Sequence, residues 1–445
     1  MSKLLPELNC YKVPEWGSIL VKDAFLTPRD RVLVDKLASG AGNRLLVEDL
    51  RSGIRISASS WVGVVRFQEF EVSIVPKLAG ENLGLIQMLD YINDLGLLRR
   101  TSGSRTMSIQ GYNLFDLLAL LFAEAVERLV AGGLLSDYVS QEGDLPAVRG
   151  RILADRQILH RFGRVDRVEC RYDERKTDIL ENQIIACALS VALRHVGNEP
   201  VWLKLRRLKL VFDSICSIAH LDLNLAQQSI VYHRLNDIYR ESHELAWLLF
   251  EALGIKDVFH SGETRCFAFL LDMNYLFERF VLQWVRDLLK GKPVRITPQA
   301  RHRSIIWNVS TGRDYAAVVP DLMLKTQEPP AKKLAVDAKY KKYDDRKFSS
   351  GDIFQLFLYA YAFQKERGGV LPASLLIYPS SDPDKVPEEL QIKNISGVAG
   401  ARINILGLHI PTALQEAKTK SFGQKASIIG DLLKLGKRAA YENSF

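Results

Sequence analysis

The sequence is poor in the features that mark several large protein classes. Its five cysteines, Cys10, Cys170, Cys187, Cys216 and Cys266, lie far apart and form no CxxC pair. That argues against a structural zinc site and a disulfide framework, and leaves reduced, buried thiols as the expectation. The eight histidines are equally scattered, with no HExxH helix. No GxxxxGK[ST] occurs, so nucleotide hydrolysis through a P-loop is not expected of this chain. Internal repeats and low-complexity segments are also missing. No apolar run approaches the roughly 18 residues needed to cross a bilayer. The richest stretch, Leu114 to Val130, is broken by Asp116, Glu124, Glu127 and Arg128. No apolar segment follows Lys3, so neither a signal peptide nor a membrane is expected, and the expected compartment is the cytoplasm.

A length of 445 residues exceeds one ordinary core and implies two or three domains. A hydrophobic fraction of 47% with 25% charged residues fits a globular chain. The net charge of +8 leans towards a polyanionic partner, since Lys and Arg that neutralise phosphates release condensed counterions. Spread over this length, the surplus is only a nudge.

Up to about residue 80 the pattern is β-rich. Short strands are expected at Ser18–Val21, Arg44–Val47 and Ile54–Ser57, then at Trp61–Arg66 and Phe70–Val75, the last ended by Pro76. From 81 to 260 the period moves towards 3.6. Helices are expected at Leu83–Gly96, Leu114–Ala131, Asp178–His195, Pro200–Ala219 and His233–Leu253, with Gly132 and Gly133 closing the second. Within this mainly α-helical middle, Arg149 to Lys176 is arginine-dense with interspersed acids: a solvated face or linker, or else a phosphate-tracking groove. Residues 261–445 read as an α/β block with a mixed sheet. A long apolar helix, Phe267–Leu289, precedes strands Ile305–Val309, Tyr315–Leu324 and Leu334–Tyr340, the last two joined through a turn containing Pro329 and Pro330. A helix from Asp352 to Lys365, strands Ser374–Tyr378 and Ile403–Ile410, and a helix near Ser427–Lys437 follow. The fold class is therefore multidomain α+β.

Chemistry concentrates in the last block. Val318-Val319-Pro320-Asp321 and Leu334-Ala335-Val336-Asp337-Ala338-Lys339-Tyr340 are apolar strands interrupted by carboxylates, which core strands avoid. Paired across the Glu328–Lys332 turn, they bring Asp321 and Asp337 together, and two close carboxylates repel unless a cation lies between them. Hard oxygen ligands suit Mg²⁺, with Mn²⁺ as a substitute. Lys339, two residues beyond Asp337, shares its strand face; a cation there orients or deprotonates a water and offsets charge growing on a phosphate. The plain alternative is a surface hairpin with an Asp–Lys ion pair, which a lone DxK would favour; the apolar flanks and the Pro-Asp shift the balance. Gln355 and Tyr359 are four apart on one helix face. Either Gln355 bonds substrate or the lysine strand, or it is a capping or surface residue beside a core tyrosine. Glu278, on the long apolar helix, either holds a metal-bound water or second metal, or pairs with Arg279 or Arg286.

Pro320-Asp321, Asp337-Ala338-Lys339 and Gln355 together resemble the PD-(D/E)xK nuclease superfamily in order and spacing. The resemblance extends further. Trp61-Val62-Gly63-Val64-Val65 with Ile74-Val75-Pro76-Lys77-Leu78, then Arg149-Gly150-Arg151-Ile152, Tyr172-Asp173-Glu174 and Asp178 with Asn182 are similar to the McrC family, the endonuclease subunits of McrBC restriction systems. So are Asp272-Met273-Asn274-Tyr275-Leu276-Phe277-Glu278 and Asp337-Ala338-Lys339-Tyr340-Lys341. The resemblance implies a subunit that docks on an McrB-like AAA+ ring through residues 1–80 and stimulates its GTP hydrolysis. It implies cutting of double-stranded, cytosine-methylated DNA with residues 261–445, the GTP being bound by the partner. By the same resemblance Asp321, Asp337 and the Ala338 carbonyl become metal ligands, Lys339 the catalytic lysine, Gln355 a catalytic residue, and Glu278 a further acid of the site. A non-catalytic activator of an NTPase ring and a free-standing nuclease are the competing expectations.

Overall fold

The computed structural model describes residues 8–38, 44–78, 81–93, 112–163, 166–218, 221–253, 266–329, 331–344, 346–363 and 371–433. Pro330, Ala219 and the expected helix ends at 94–96, 364–365 and 434–437 lie outside them. Among the described residues no helix is long and apolar enough to cross a membrane.

The N-terminal part is β-rich, as its alternation requires. It runs β1 (Asn9–Pro14), β2 (Ser18–Lys22), α1 (Pro28–Ala38), β3 (Leu45–Leu50), β4 (Gly53–Ala58), β5 (Trp61–Arg66) and β6 (Phe70–Val75). β4 lies between β2 and β3 in an antiparallel sheet, while β5 and β6 form a hairpin with β1 parallel on the outside. Strand β1 and helix α1 escaped the periodicity.

The middle part carries α2 (Glu81–Asn93) and α3 (Leu114–Gly132), the latter closed by Gly133 at φ 93°, with its N–H bonded to Val130 O. It is not wholly helical. β7 (Asp137–Leu145), β8 (Arg151–Ile152), α4 (Ala154–Arg161) and β9 (Val168–Lys176) build a three-stranded sheet in the order β7-β9-β8. The arginine-dense stretch thus spans β8, α4 and β9 with the turns between them. Its charges are paired with acids of β7: Arg171 of β9 and Arg156 of α4 lie 2.6 and 2.7 Å from Glu142, and Arg167, just before β9, lies 3.4 Å from Asp144. Most of these side chains are exposed, and such pairs contribute little stability. Helices α5 (Leu180–His195), α6 (Glu199–Asp213), α7 (Leu223–Ser229) and α8 (Arg240–Leu253) follow. α6 ends six residues earlier than its apolar pattern suggests, and α8 starts only after a 3₁₀ turn at Asp237–Tyr239.

The expected single helix Phe267–Leu289 is instead a strand and a helix. β10 (Phe267–Asp272) pairs antiparallel with β5 and completes the N-terminal sheet, and α9 (Met273–Leu288) begins where the Asp272 side chain accepts from Asn274 N. Aromatic and aliphatic residues at 267–271 suit either structure; the open edge of β5 decides. That edge is accessible because residue 63 is glycine: a Cβ there would lie 1.9 Å from the Phe269 carbonyl oxygen, at φ +145°. Helix α9 buries Phe277, Phe280 and Trp284, each worth roughly 1.5–3 kcal/mol of transfer free energy.

The remainder is β11 (Val294–Pro298), β12 (His302–Asn308), β13 (Arg313–Val318), β14 (Leu322–Thr326), β15 (Lys333–Ala338), α10 (Ser350–Phe363), β16 (Ala373–Pro379), β17 (Glu388–Lys393), β18 (Ala399–Leu408), α11 (Ile410–Thr419) and α12 (Gln424–Leu433). A mixed six-stranded sheet runs β11-β14-β15-β16-β18-β17, with parallel pairing of β15 to β16 and of β16 to β18; β12 and β13 stand apart as a two-stranded ribbon. Helix α10 is the crossover between parallel β15 and β16 and packs on β15, β16 and β18. The expected strand Tyr315–Leu324 is broken at Val319-Pro320-Asp321, since proline cannot donate to a ladder.

Candidate active site

The break at Pro320 places Asp321 at the head of β14. The β14–β15 register pairs Leu322 with Val336, so the next pair outward is Asp321 and Asp337. The hairpin therefore sets the two carboxylates side by side. Asp321 Oδ2 accepts the Ala338 N–H at 2.7 Å. Asp337 is 1% exposed, and neither of its carboxylate oxygens has a main-chain donor. Lys339 Nζ lies 3.1 Å from Asp337 Oδ2 as its ion-pair partner. Lys339 itself is anchored by its N–H to Ile377 O at 3.0 Å.

Two buried acids this close make an unfavourable site for negative charge. Burial, then the charge of Asp337, push the Asp321 carboxyl up to about 7 despite the Ala338 N–H. Burial also raises Asp337, against the pull of Lys339. For Lys339, burial works to lower its pKa, but the Asp337 carboxylate outweighs it and holds the ammonium above its ordinary value. Lys339 is accordingly a firmly protonated cation.

Helix α10 supports this cluster. Gln355 Nε2 donates to Tyr359 Oη at 2.7 Å, and Tyr359 donates to Val319 O at 3.1 Å, fixing the main chain two residues before Asp321. Burial, with the nearby acids, raises Tyr359 to about 12. Glu278 on α9 is raised by burial, lowered by the charge of Lys339 and raised by those of Asp337 and Asp272. Among the described residues, however, no group of three or more His, Cys, Asp or Glu forms a metal-holding cluster. A cation here would have two carboxylates plus main chain and water, a set sufficient for Mg²⁺. The Asp337 oxygens, with no main-chain donor, fit such a cation: buried acceptors short of donors are costly, and coordination would relieve them.

Sequence reasoning missed the residues that tether the lysine strand. Lys341 Nζ contacts Asp352 at 2.9 Å, and Ser349 donates to the same carboxylate, as does Tyr343, so the start of α10 is fastened to the segment after Lys339. Those bonds hold Asp352 below its ordinary value although burial opposes it. Tyr340 points the other way, to Glu15 in the N-terminal part. The Asp-Ala-Lys-Tyr-Lys run carried a signal for both contacts, but not their partners.

The family model described as McrBC 5-methylcytosine restriction system component matches residues 56–379. Over 303 residues the chain is 24% identical to the Type IV methyl-directed restriction enzyme EcoKMcrBC of Escherichia coli (strain K12), covering 64% of this chain and 83% of that protein. Among solved structures, it is similar in fold to a chain of the half-complex from the tetradecameric assembly of Thermococcus gammatolerans McrB AAA+ hexamers with bound McrC. The TM-score is 0.61 at 18% identity, over 93% of this chain and all of that one. With its model matched over well more than half of the length, the chain belongs to the McrBC 5-methylcytosine restriction system component family.

Proposed function

We propose that this chain is the DNA-cutting subunit of a modification-dependent restriction complex, an Mg²⁺-dependent endodeoxyribonuclease of the PD-(D/E)xK type. The observation that carries it is the Asp337 carboxylate, buried beside Asp321 with no main-chain donor and with the Lys339 ammonium 3.1 Å away as its cation. A purely structural ion pair has no need of the second acid.

The roles follow from the environment of each group. Asp321 and Asp337 would hold Mg²⁺, with the Ala338 carbonyl as a third ligand and Mn²⁺ as a substitute. When bound, the cation would polarise the scissile phosphate and acidify water. Because burial and Asp337 raise the Asp321 carboxyl, Asp321 would have to give up its proton to hold a cation. Lys339, kept protonated by Asp337, is suited to stabilise charge developing on phosphate oxygens rather than to act as a base. Gln355 and Tyr359 position Asp321 by holding Val319. Glu278, whose carboxyl retains protons more readily than an ordinary glutamate, is suited to orient the attacking water or donate to the leaving oxygen.

The partners we propose are a GTP-hydrolysing AAA+ ring, which binds the GTP, and double-stranded DNA, cytosine-methylated as the family name indicates; the compartment is the cytoplasm. Docking falls to the head formed by residues 1–80 and completed by β10. The test is cleavage of methylated and unmethylated DNA with Mg²⁺, with and without GTP and the ring. Cutting should require all three, and Asp337→Ala should lower it by about 10²-fold or more while sparing ring stimulation. Unchanged cutting by Asp337→Ala sinks the site. Cutting by this chain alone favours a free-standing nuclease, and stimulation without cutting under any condition favours a non-catalytic activator.

A further inference from the structure

The two-stranded ribbon of β12 and β13 belongs to neither the catalytic sheet nor the N-terminal sheets. Its register runs from His302 opposite Val318 to Asn308 opposite Arg313, with irregularities on either side of Ile306. Only one side is covered: Val318 is buried, and Ile305 and Ile306 pack on the core formed by Met323, Leu356 and Leu376, while Trp307 is 52%, Val309 86% and Tyr315 74% exposed. At seven residues and about 3.3 Å each, β12 reaches roughly 23 Å. A ribbon that leaves this much apolar and aromatic surface in water is poorly explained as a contribution to the core.

Its charge indicates what it meets. Arg301, Arg303 and Arg313 are all exposed, against the single acid Asp314. Planar guanidinium groups suit phosphates, and exposed apolar and aromatic side chains suit the sugars and thymine methyl groups that line a duplex groove. A two-stranded ribbon is also of a size that the major groove, about 12 Å wide, admits.

Both legs of the ribbon are fastened to the same carboxylate segment. Before β12, Gln299 N donates to Asp321 O at 2.9 Å, with Gln299 in the left-handed region at φ 43°. After β13, the chain passes through Val319, held by Tyr359, to Pro320 and Asp321. Whatever the ribbon grips is therefore held at a set offset from Asp321.

We infer that the β12–β13 ribbon is a DNA-gripping arm, with Arg301, Arg303 and Arg313 on the phosphate backbone and Trp307 and Tyr315 against the groove, holding the duplex in place over the carboxylate pair. The inference rests on the nuclease assignment above and adds to it the element that binds substrate. It makes affinity and cutting separable, because none of these side chains belongs to the Asp321, Asp337 and Lys339 cluster.

The experiment uses the full chain carrying Asp337→Asn, so that binding is read without cutting, on duplex DNA in EDTA over a range of KCl concentrations. Adding Arg301→Ala, Arg303→Ala and Arg313→Ala should weaken binding at least about tenfold. It should also flatten the slope of log K against log salt by up to about 2.7, that is, about 0.9 per phosphate contact. Replacing the same three arginines by lysine keeps the charge and should restore most of the slope, which separates loss of contact from misfolding. In the otherwise wild-type protein the alanine set should raise KM for DNA far more than it lowers kcat. Unchanged affinity and slope in the alanine set overturn the arm; if ring binding or self-association falls instead, the ribbon faces a protein. A parent chain that cuts DNA while its ribbon variants bind normally overturns only this inference, whereas a parent that neither binds nor cuts DNA under any condition overturns the nuclease assignment with it.

Discussion

Tyr340 Oη donates to the carboxylate of Glu15, 2.9 Å from one oxygen and 3.0 Å from the other, and so joins the residue after Lys339 to the N-terminal head. The same Glu15 oxygen accepts the Lys77 and Leu78 N–H groups at 2.6 and 2.9 Å. The Tyr340 ring stacks on Trp16 at 5.4 Å and leans on Phe277, the neighbour of Glu278, at 5.7 Å. Three separated segments, at Glu15, at Lys77-Leu78 and at Tyr340, thus meet at one buried carboxylate. Burial raises the Glu15 carboxyl, and burial with the adjacent acid raises the Tyr340 phenol, so the phenol stays protonated and donates.

Tyr340→Phe keeps the stacking and removes only this donor. We expect a stability loss of about 1–3 kcal/mol, the cost of under-satisfying a buried carboxylate. Cutting should fall severalfold while stimulation of the ring partner persists, because the head is intact and only its tie to the lysine strand is loosened. Parallel measurement of DNA cleavage and partner GTP hydrolysis checks this; equal loss of both would show that the contact merely holds the fold.

The legibility of this architecture in the sequence divides along the range of the contacts. β5 and β6 were readable because Val62, Val64, Val72 and Ile74 are β-branched residues between turn signals, a local property. The Asp321, Asp337 and Lys339 positions were readable because strand parity and one short hairpin suffice to bring them together. β10 was not, since Phe267 to Leu271 continues an apolar run into α9 and only the distant edge of β5 makes it a strand. β7 was hidden because its polar residues fall on both faces, and β9 because Val168, Cys170 and Tyr172 make only a short stripe before Glu174 and Lys176 occupy the same face. The Glu15–Tyr340 bond joins residues 325 apart, and nothing in local spacing announces it.

The paired acids give the metal-free protein a particular pH response. Asp321 is raised to about 7 in the folded chain, above its unfolded value near 3.9. Between those values the folded state binds more protons than the unfolded one, so stability falls as pH rises from about 4 to 7. Asp321→Asn should weaken this dependence, leaving the smaller share from Asp337 and the other buried acids, and raise the metal-free stability at pH 8 by roughly 1–3 kcal/mol. Added Mg²⁺ should stabilise the parent chain increasingly towards pH 8 and leave the variant unmoved. Denaturant melts with EDTA or Mg²⁺ at pH 5, 6.5 and 8 measure both effects, and a metal response retained by Asp321→Asn would remove Asp321 from the ligand set.

The buried Arg66–Glu71 pair sets up a sharper contrast between breaking an interaction and replacing it. Arg66 Nε and Nη2 lie 2.7 and 2.6 Å from Glu71 Oε2, Nη1 donates to His195 O at 3.3 Å, and the guanidinium lies 5.0 Å from the Phe267 ring centre. Glu71 Oε1 accepts from Asn113, the cap of α3. The pair therefore fastens the β5–β6 hairpin to α3, α5 and β10, and it is almost wholly out of water. Glu71→Ala should cost about 3–5 kcal/mol, because it strands a buried guanidinium. The double variant Arg66→Met with Glu71→Leu should recover most of that loss, since desolvating both charges offsets much of their attraction. Equilibrium unfolding of the single and double variants decides: a double variant as unstable as Glu71→Ala would mean that the bonds to His195 and Asn113, rather than the mutual pairing, hold the head against the helices.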